Sequence, residues 1–443
     1  MIIQQFNIKD FIRINILVLF LTSLQFLREI TLVYELILTI SFLTYIYIFR
    51  KSVLSIFLFF LFFEFLMPPV PNEITLSPIL FILFGIMLLF KILMKDGKFT
   101  LNKNITFVIA IVSSLYLITI VFYSIIVKGV SVHSVFTSLI PFFMYLYILL
   151  VLDNGYTKRE FTLNKLFDYL YIWGMLYVIN NFALFLYNIL IGRPLSYRIT
   201  LYDYNTLSPV ILLVLSLVIF QYLKNNSNNK LILLILFISL SSVLPQTRSY
   251  ILATTLLLTY LYLKTLVTMN FSKSMTMIGI SILSLFLILK FNILDPIFAR
   301  FQSAVDGDQN VSERFIEYDL AKNLFFENPL FGIGFGADFN VRHGELVNYI
   351  HSFPYYILAN LGFFGIIPFS LILLLSLFIF FIIKSFEVKS IIISGLVMIF
   401  YSAFFAIYKW FSFGMIVGIV IWFIIYATYY LKKDSTGNDN YEA

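Results

Sequence analysis

Long apolar segments recur along almost the whole chain, and they constrain the fold more than any other feature. A helix that crosses a bilayer needs about 20 mostly apolar residues, because its backbone must satisfy its own hydrogen bonds in hydrocarbon. The pattern predicts twelve to fourteen spanning helices, since one pair is separated only by Arg28-Glu29 and a short one ends at Pro245. The approximate candidates are 11–27, 30–49, 52–68, 76–94, 104–127, 132–152, 165–191, 206–223, 231–244, 249–266, 274–292, 358–383, 389–408 and 412–431.

The composition excludes most other classes of protein. Of 443 residues, 61% are hydrophobic and only 12% are charged, too few polar groups to cover a soluble core of this size. No cysteine is present, which excludes a disulfide scaffold and a cysteine nucleophile. The N-terminal apolar stretch continues into further spans, so we interpret it as a retained first span rather than a cleaved signal. The chain is therefore predicted to be an all-α polytopic membrane protein.

The net charge of +7 fits membrane topology better than nucleic-acid binding. Most basic residues fall in connectors that the span pattern places on one side, which predicts a membrane protein with both termini in the cytoplasm. The predicted organisation is an N-terminal bundle over 1–291, a long outer loop over 292–350, C-terminal helices over 351–431 and a cytoplasmic tail over 432–443.

The outer loop is predicted to hold an amphipathic helix of about four turns at the membrane surface. Asn310 and Glu313 have the spacing of a capping box, and Ile316, Leu320 and Leu324 recur on one helical face. Asn328-Pro329 ends this pattern, and the glycines of 332–336 then permit a tight backbone and a close approach.

Ionisable residues within predicted spans keep a transport function open. The candidates are Glu35, Glu64 and Asp168, although each is explained more simply as a hydrogen-bonded polar residue, and no inverted repeat is apparent. Asp306-Gly307-Asp308 has the pattern of a divalent-metal pair, but it lies in a polar stretch without a further ligand. We therefore predict no metal and no other cofactor.

The predicted outer side carries side chains suited to diphosphate chemistry. Arginine can bind phosphate through two parallel hydrogen bonds, and a neutral imidazole can take a proton near neutral pH. The residues of these two types on that side are His133, His343, His351, Arg28, Arg193, Arg198 and Arg248. Each of them could instead be a plain interfacial side chain.

Four motifs occur in a fixed order. Arg198 and Asn205 lie seven residues apart, and Arg248-Ser-Tyr-Ile-Leu fits the pattern R-x3-L. Arg314 precedes Asn328-Pro-Leu-Phe-Gly-Ile-Gly334-Phe-Gly, and His351-Ser is followed after nine residues by Gly-Phe-Phe-Gly. Over about 195–385 this series resembles the O-antigen ligase and polymerase family of bacterial membrane glycosyltransferases. The segment after Arg198 lacks the Gly and Pro common in that family, and Arg193 competes with Arg198 for the same role.

The resemblance implies a C-type glycosyltransferase-like fold in the bacterial inner membrane and a glycan donor carried on undecaprenyl diphosphate at the outer face of that membrane. It implies that Arg248 and either Arg198 or Arg193 bind the diphosphate, and that His351 is the general base. Arg314, Asn205 and Gly334 would hold the second substrate or the loop. A chain-length regulator and a flippase are the protein partners it suggests.

Three functions remain open at this point. A repeat-unit polymerase of O-antigen or capsule biosynthesis is favoured, because the chain matches the family poorly outside the motifs. An O-antigen ligase that transfers finished glycan to lipid A–core, as in lipopolysaccharide assembly, would use the same Arg and His chemistry. A lipid-linked oligosaccharide flippase would need alternating access and no catalytic base.

Overall fold

The computed structural model describes residues 94–95, 98–99, 105–157, 162–192, 209–224, 229–245, 247–268, 309–342, 345–409 and 411–430, with a few single positions between them. Nearly all of these residues are helical, as the apolar pattern predicts. Four of the described helices are long and apolar enough to cross a membrane: Ile105–Val127, Val132–Tyr156, Lys165–Leu190 and Phe353–Ile382. The all-α polytopic membrane fold is thus confirmed, while the number of spans stays a prediction, because the first four lie outside the described residues.

The elements follow one another in a simple order. Strands β1 (Met94–Lys95) and β2 (Lys98–Phe99) pair antiparallel, with Met94 opposite Phe99. The first helices of the described part are α1 (Ile105–Phe122), extended by a π-helical turn at Tyr123–Val127, α2 (Val132–Thr157), α3 (Leu163–Leu190), α4 (Val210–Lys224), α5 (Asn229–Val243) and α6 (Arg248–Thr268). Then come α7 (Gln309–Glu327), the hairpin β3 (Asn340–Arg342) and β4 (Glu345–Val347), α8 (Phe353–Ile382), α9 (Phe386–Ser402), a 3₁₀ turn at Ile407–Lys409, α10 (Phe411–Ile425) and a π-helical turn at Tyr426–Tyr430.

The chain divides into two compact units. The first contains residues up to Leu176, the short segment Gly334–Gly336 and the residues from Tyr408 onward. Its core is the contact between α2 and α10. Gly414 and Gly418 stand one helical turn apart on α10, and a Cβ at Gly418 would lie 2.7 Å from the carbonyl oxygen of Tyr145 on α2. Small residues at this spacing let two helices approach closely inside a membrane.

The second unit contains Tyr177–Ile333 and Ala337–Ile407. Helix α4 lies at its centre, packed against α5, α6 and α9, and nearly every α4 side chain is buried. This explains why the α4 sequence is apolar on all sides. Helix α7 packs on α8, and α8 packs in turn on α9.

Most predicted spans of the described part agree with observed helices, but some boundaries were wrong. Helix α4 begins at Val210 rather than near 206, α8 begins at Phe353 rather than 358, and α9 ends at Ser402 rather than 408. The early start of α8 follows from Ser352, whose extended backbone precedes a proline in the first helical turn. The predicted span 274–292 falls largely outside the described residues.

The predicted loop helix is present as α7, and it ends before Asn328-Pro329 as expected. It begins at Gln309, so Asn310 lies inside the first turn and the predicted capping position was wrong. The face that packs on protein carries Glu317 and Ala321, both buried, whereas Ile316 is exposed. The β3–β4 hairpin that follows was not predicted. Its register pairs Asn340 with Val347.

Candidate active site

Helix α8 is broken near its start by Gly362. This residue has φ 57° and ψ −145°, a conformation that is open to glycine and costly for other residues. The break divides α8 into a short first segment, which begins at Phe353, and a longer second segment. Gly362 is the first glycine of the Gly-Phe-Phe-Gly motif, so that motif marks the break.

The segment that follows α7 satisfies the backbone groups that the break releases. The amide of Phe363 donates to the carbonyl of Pro329 at 2.8 Å, and the amide of Phe364 donates to the carbonyl of Leu330 at 3.0 Å. On the other side of the break, the carbonyl of Ala359 accepts a hydrogen bond from the amide of Ile333 at 2.9 Å. Buried backbone groups need such partners, so the Asn-Pro-x-x-Gly motif and the broken helix fit each other chemically.

Gly332 is required by this contact. It has φ 67°, and a Cβ at this position would lie 2.5 Å from the amide nitrogen of Leu361. No side chain fits into that space without moving the helix backbone. Two of the four sequence motifs are therefore halves of a single contact within the second unit.

His351 lies two residues before α8, on the N-terminal side of its first segment. Its side chain is 15% exposed, and its Nδ1 lies 3.3 Å from each carboxylate oxygen of Glu317 on α7. The backbone amide of His351 also donates to Glu317 Oε2 at 2.9 Å. The carboxylate thus contacts both the ring and the main chain of the predicted base.

Asn340 of the hairpin holds the other side of this carboxylate. Its Nδ2 donates to Glu317 Oε1 at 3.1 Å and to the carbonyl oxygen of Tyr349 at 3.1 Å. Glu317 is 3% exposed and Asn340 is 5% exposed. A buried carboxylate is costly unless it is surrounded by donors, and here three groups surround it.

Arg248 is the first residue of α6, and it is half-buried. A cation at this end of a helix is disfavoured by the helix dipole by about 0.3–1 kcal/mol, so helix stability does not explain its position. The same dipole favours an anion, which would meet both the guanidinium and the helix terminus.

A row of aromatic rings links the start of α6 with His351. Tyr250 stacks on Tyr401 with ring centroids 5.3 Å apart, and Tyr401 stacks on Phe405 at 5.8 Å. Phe405 then meets the His351 ring edge-on at 6.4 Å. The row therefore connects the start of α6 with His351 within the second unit, and Arg248 lies two residues before Tyr250 in the sequence.

Arg314 lies one turn before Glu317 on α7, and it is half-buried. Tyr318 stacks on Tyr355 of α8 at 4.5 Å. Burial raises the pKa of Tyr318, while the nearby Arg314 guanidinium opposes this rise. Arg314 is therefore close to the α7–α8 contact, where a role in fixing the loop or in binding a second substrate stays a prediction.

The glycines after Ile333 belong to the first unit. Gly334 is buried, and a Cβ there would lie 3.1 Å from a methyl carbon of Val130. The amide of Phe335 donates to Ser124 Oγ at 2.7 Å, and Ser134 Oγ donates to the carbonyl of Gly336. The close approach that these glycines predict is thus made to protein, and a substrate-binding role for Gly334 stays a prediction.

Several predicted site residues lie outside the described residues. They are Arg28, Arg193, Arg198, Asn205 and His343, together with Glu35, Glu64, Asp306 and Asp308. His133 is described, and it is exposed at the start of α2. Across the described part of the chain, no cluster of three His, Asp or Glu side chains could hold a metal ion. The expectation of metal-independent chemistry stays a prediction.

Sequence reasoning missed Glu317 and Asn340. A signal for Glu317 was available, because helical spacing places it on the same face as Arg314, Ala321 and Leu324. A carboxylate within a mostly apolar face calls for a buried partner. No comparable signal existed for Asn340, since its position depends on an unpredicted hairpin.

Residues 231–370 match the family model described as O-antigen ligase. The matched segment contains Arg248, Arg314, Glu317, Gly362 and His351. No curated protein matches the chain. The similarity is confined to that segment, and it supports an assignment to the O-antigen ligase and polymerase family, whose members are glycosyl-transfer enzymes.

Proposed function

We propose that this chain is a polysaccharide polymerase of the bacterial inner membrane. It would transfer a glycan from undecaprenyl diphosphate to a hydroxyl of another lipid-linked repeat unit, at the outer face. The observation that carries this proposal is the setting of His351, a largely buried imidazole whose Nδ1 faces a buried carboxylate, within the family-matched segment. Such a ring is suited to accept a proton.

The reaction balances with the residues at hand. The acceptor oxygen attacks the anomeric carbon of the donor glycan while its proton passes to Nε2 of His351. The bond between the anomeric carbon and the phosphate oxygen breaks, and undecaprenyl diphosphate leaves. A positioned base of this type contributes about 10²–10⁴-fold to the rate.

Arg248 would stabilise the departing diphosphate. Negative charge grows on the leaving group as its bond to the sugar breaks, and a guanidinium at a helix N-terminus is complementary to that charge. Arg198 or Arg193 would supply a second guanidinium, as the motif resemblance suggests. The diphosphate is already a good leaving group, so the proposed mechanism uses no metal ion.

The similarity to O-antigen ligases favours a second candidate, an O-antigen ligase. A ligase would use the same two residues and differ only in the acceptor, lipid A–core. We prefer the polymerase because the match is confined to 231–370, as expected when the remaining parts recognise a particular repeat unit.

Reconstitution tests the proposal. The purified chain in liposomes is given undecaprenyl-diphosphate-linked repeat units, and the products are separated by size. A polymerase gives a ladder, and His351→Ala abolishes it, whereas His133→Ala, an exposed histidine on another helix, retains it. Transfer to lipid A–core alone would replace the polymerase by the ligase, and translocation without new glycosidic bonds would establish a flippase. A full ladder from folded His351→Ala would overturn the base role.

A further inference from the structure

We propose that Glu317 is a positioning residue for His351. Its carboxylate fixes the tautomer and the orientation of the His351 ring. This inference rests on the proposed function, because it assigns a task to the same imidazole. It concerns a residue that no sequence motif identifies.

The tautomer follows from the contact. An ionised carboxylate only accepts hydrogen bonds, so Nδ1, at 3.3 Å from both Glu317 oxygens, must carry the ring hydrogen. In a neutral imidazole the other nitrogen, Nε2, then has its lone pair available. Glu317 therefore leaves His351 with Nε2 as the atom that accepts the proton of the acceptor hydroxyl.

Glu317 also holds the backbone from which the His351 side chain extends. The amide of His351 donates to Glu317 Oε2 at 2.9 Å, so backbone and ring are held by the same carboxylate. His351 has no helical backbone of its own, because it precedes α8. Without Glu317 the residue would lose both of these contacts, and the fraction of time that Nε2 points at the acceptor would fall.

Glu317 is itself held in place by two parts of the fold. Asn340 of the hairpin donates to Glu317 Oε1 at 3.1 Å. The contact of 329–333 with the broken α8 holds the end of α7 against α8, the helix that follows His351. The carboxylate is buried, so it does not move freely with solvent. These contacts distinguish the Glu317–His351 pair from a surface ion pair, which contributes little to stability.

The decisive experiment compares Glu317→Gln with the same change at Glu327, which is exposed at the end of the same helix. Glutamine keeps the size of the side chain but has a single acceptor oxygen, so it cannot serve all three donors. We expect kcat of the ladder reaction to fall about 10–100-fold with KM for the lipid-linked substrate nearly unchanged, because only orientation of the base is lost. Glu327→Gln retains the parental kcat, and Glu317→Asp recovers part of the loss.

A double variant separates positioning from a general structural role. If Glu317 acts through His351, adding Glu317→Gln to His351→Ala causes no further loss of residual activity. A further loss of about tenfold would overturn the inference, as would unchanged kcat in Glu317→Gln. If His351→Ala keeps full activity, the proposed function fails. If only the Glu317 variants keep it, the inference fails and the base role stands.

Asn340→Ala provides a second variant should Glu317→Gln not fold. It keeps the carboxylate and removes the hydrogen bond from the hairpin, so kcat is expected to fall several-fold at unchanged KM. An unchanged kcat in this folded variant would overturn the inference.

Discussion

Gly332 and Gly362 lie against each other in the second unit, and a Cβ on Gly362 would come within 2.9 Å of the amide nitrogen of Gly332. Both residues have positive φ. The contact joins the segment after α7 to the break in α8, and these are the two elements that carry Glu317 and His351. These two glycines are thirty residues apart in the sequence. Their contact helps to keep the Glu317 carboxylate close to the His351 imidazole.

The first prediction concerns this glycine pair. Gly332→Ala is expected to abolish activity and lower the melting temperature strongly, because the new methyl group meets backbone that cannot move aside. Gly192→Ala is the matched control, since Gly192 has φ 76° and open space around it. Gly192→Ala should lower the free energy of unfolding only by the backbone penalty of about 1–3 kcal/mol. Thermal unfolding in detergent measures both, and equal losses in the two variants would contradict the packing explanation.

The second prediction concerns the charge and the shape of Arg248. Arg248→Ala should lower kcat about 10²–10³-fold, a loss typical of removing one stabilising donor from a transition state. Arg248→Lys keeps the charge but loses the planar pair of donors, so it should recover only part of this loss. Lys264→Ala, on the same helix near its other end, should leave kcat unchanged. Full activity in Arg248→Ala would exclude a role in leaving-group stabilisation.

A third prediction follows from the aromatic row between α6 and His351. Tyr401 is fully buried and stacks on both Tyr250 and Phe405. Tyr401→Leu should destabilise the chain by about 1–3 kcal/mol and lower kcat, because the ring that joins Tyr250 of α6 to Phe405 beside His351 is lost. Tyr401→Phe keeps the ring and should be much closer to the parent.

Phe400→Leu provides the comparison for this change, since Phe400 meets Phe404 rather than the row. Steady-state kinetics and thermal unfolding are measured on all three variants. If Tyr401→Leu and Phe400→Leu lowered kcat equally, the row would have no special relation to the site.

The sequence predicts the helices well because spanning helices are encoded locally, as apolar segments of sufficient length. It also suggests His351 and Arg248 as candidate site residues, because their motifs depend on spacing along the chain. Glu317 was missed because its importance arises from a contact with a residue 34 positions away. The break at Gly362 was missed for a similar reason, since a single glycine in an apolar helix breaks it only where a second segment satisfies the released backbone groups.

The hairpin shows another limit of sequence reasoning. Its strands Asn340–Arg342 and Glu345–Val347 are three residues each, too short to display a period. Val341 and Leu346 face each other across the pair, and both are largely exposed, so no buried apolar face marked the strands in advance. Only the structure shows that Asn340 begins this hairpin and reaches Glu317.

The last prediction concerns an ion pair between α4 and the start of α9. Lys224 donates to Glu387, and Ser385 Oγ donates to the same carboxylate at 3.0 Å. Burial raises the pKa of Glu387, but the hydrogen bonds from Lys224 and Ser385 outweigh burial, and the pKa lies below its ordinary value of 4.5. A carboxyl whose pKa is lowered by folding stabilises the folded state above its unfolded pKa. That stabilisation is lost as the pH falls through the folded value.

Lys224→Met should therefore lower the free energy of unfolding at neutral pH by about 0.2–1 kcal/mol, the range for partly exposed ion pairs. The difference from the parent should shrink as the pH falls below 4.5, because the protonated Glu387 no longer attracts Lys224. Lys384→Met removes an exposed lysine from the same connector and should show no such pH dependence. Unfolding in detergent across this pH range is the measurement, and a difference that persists at the acidic end would show that the pair contributes through packing rather than charge.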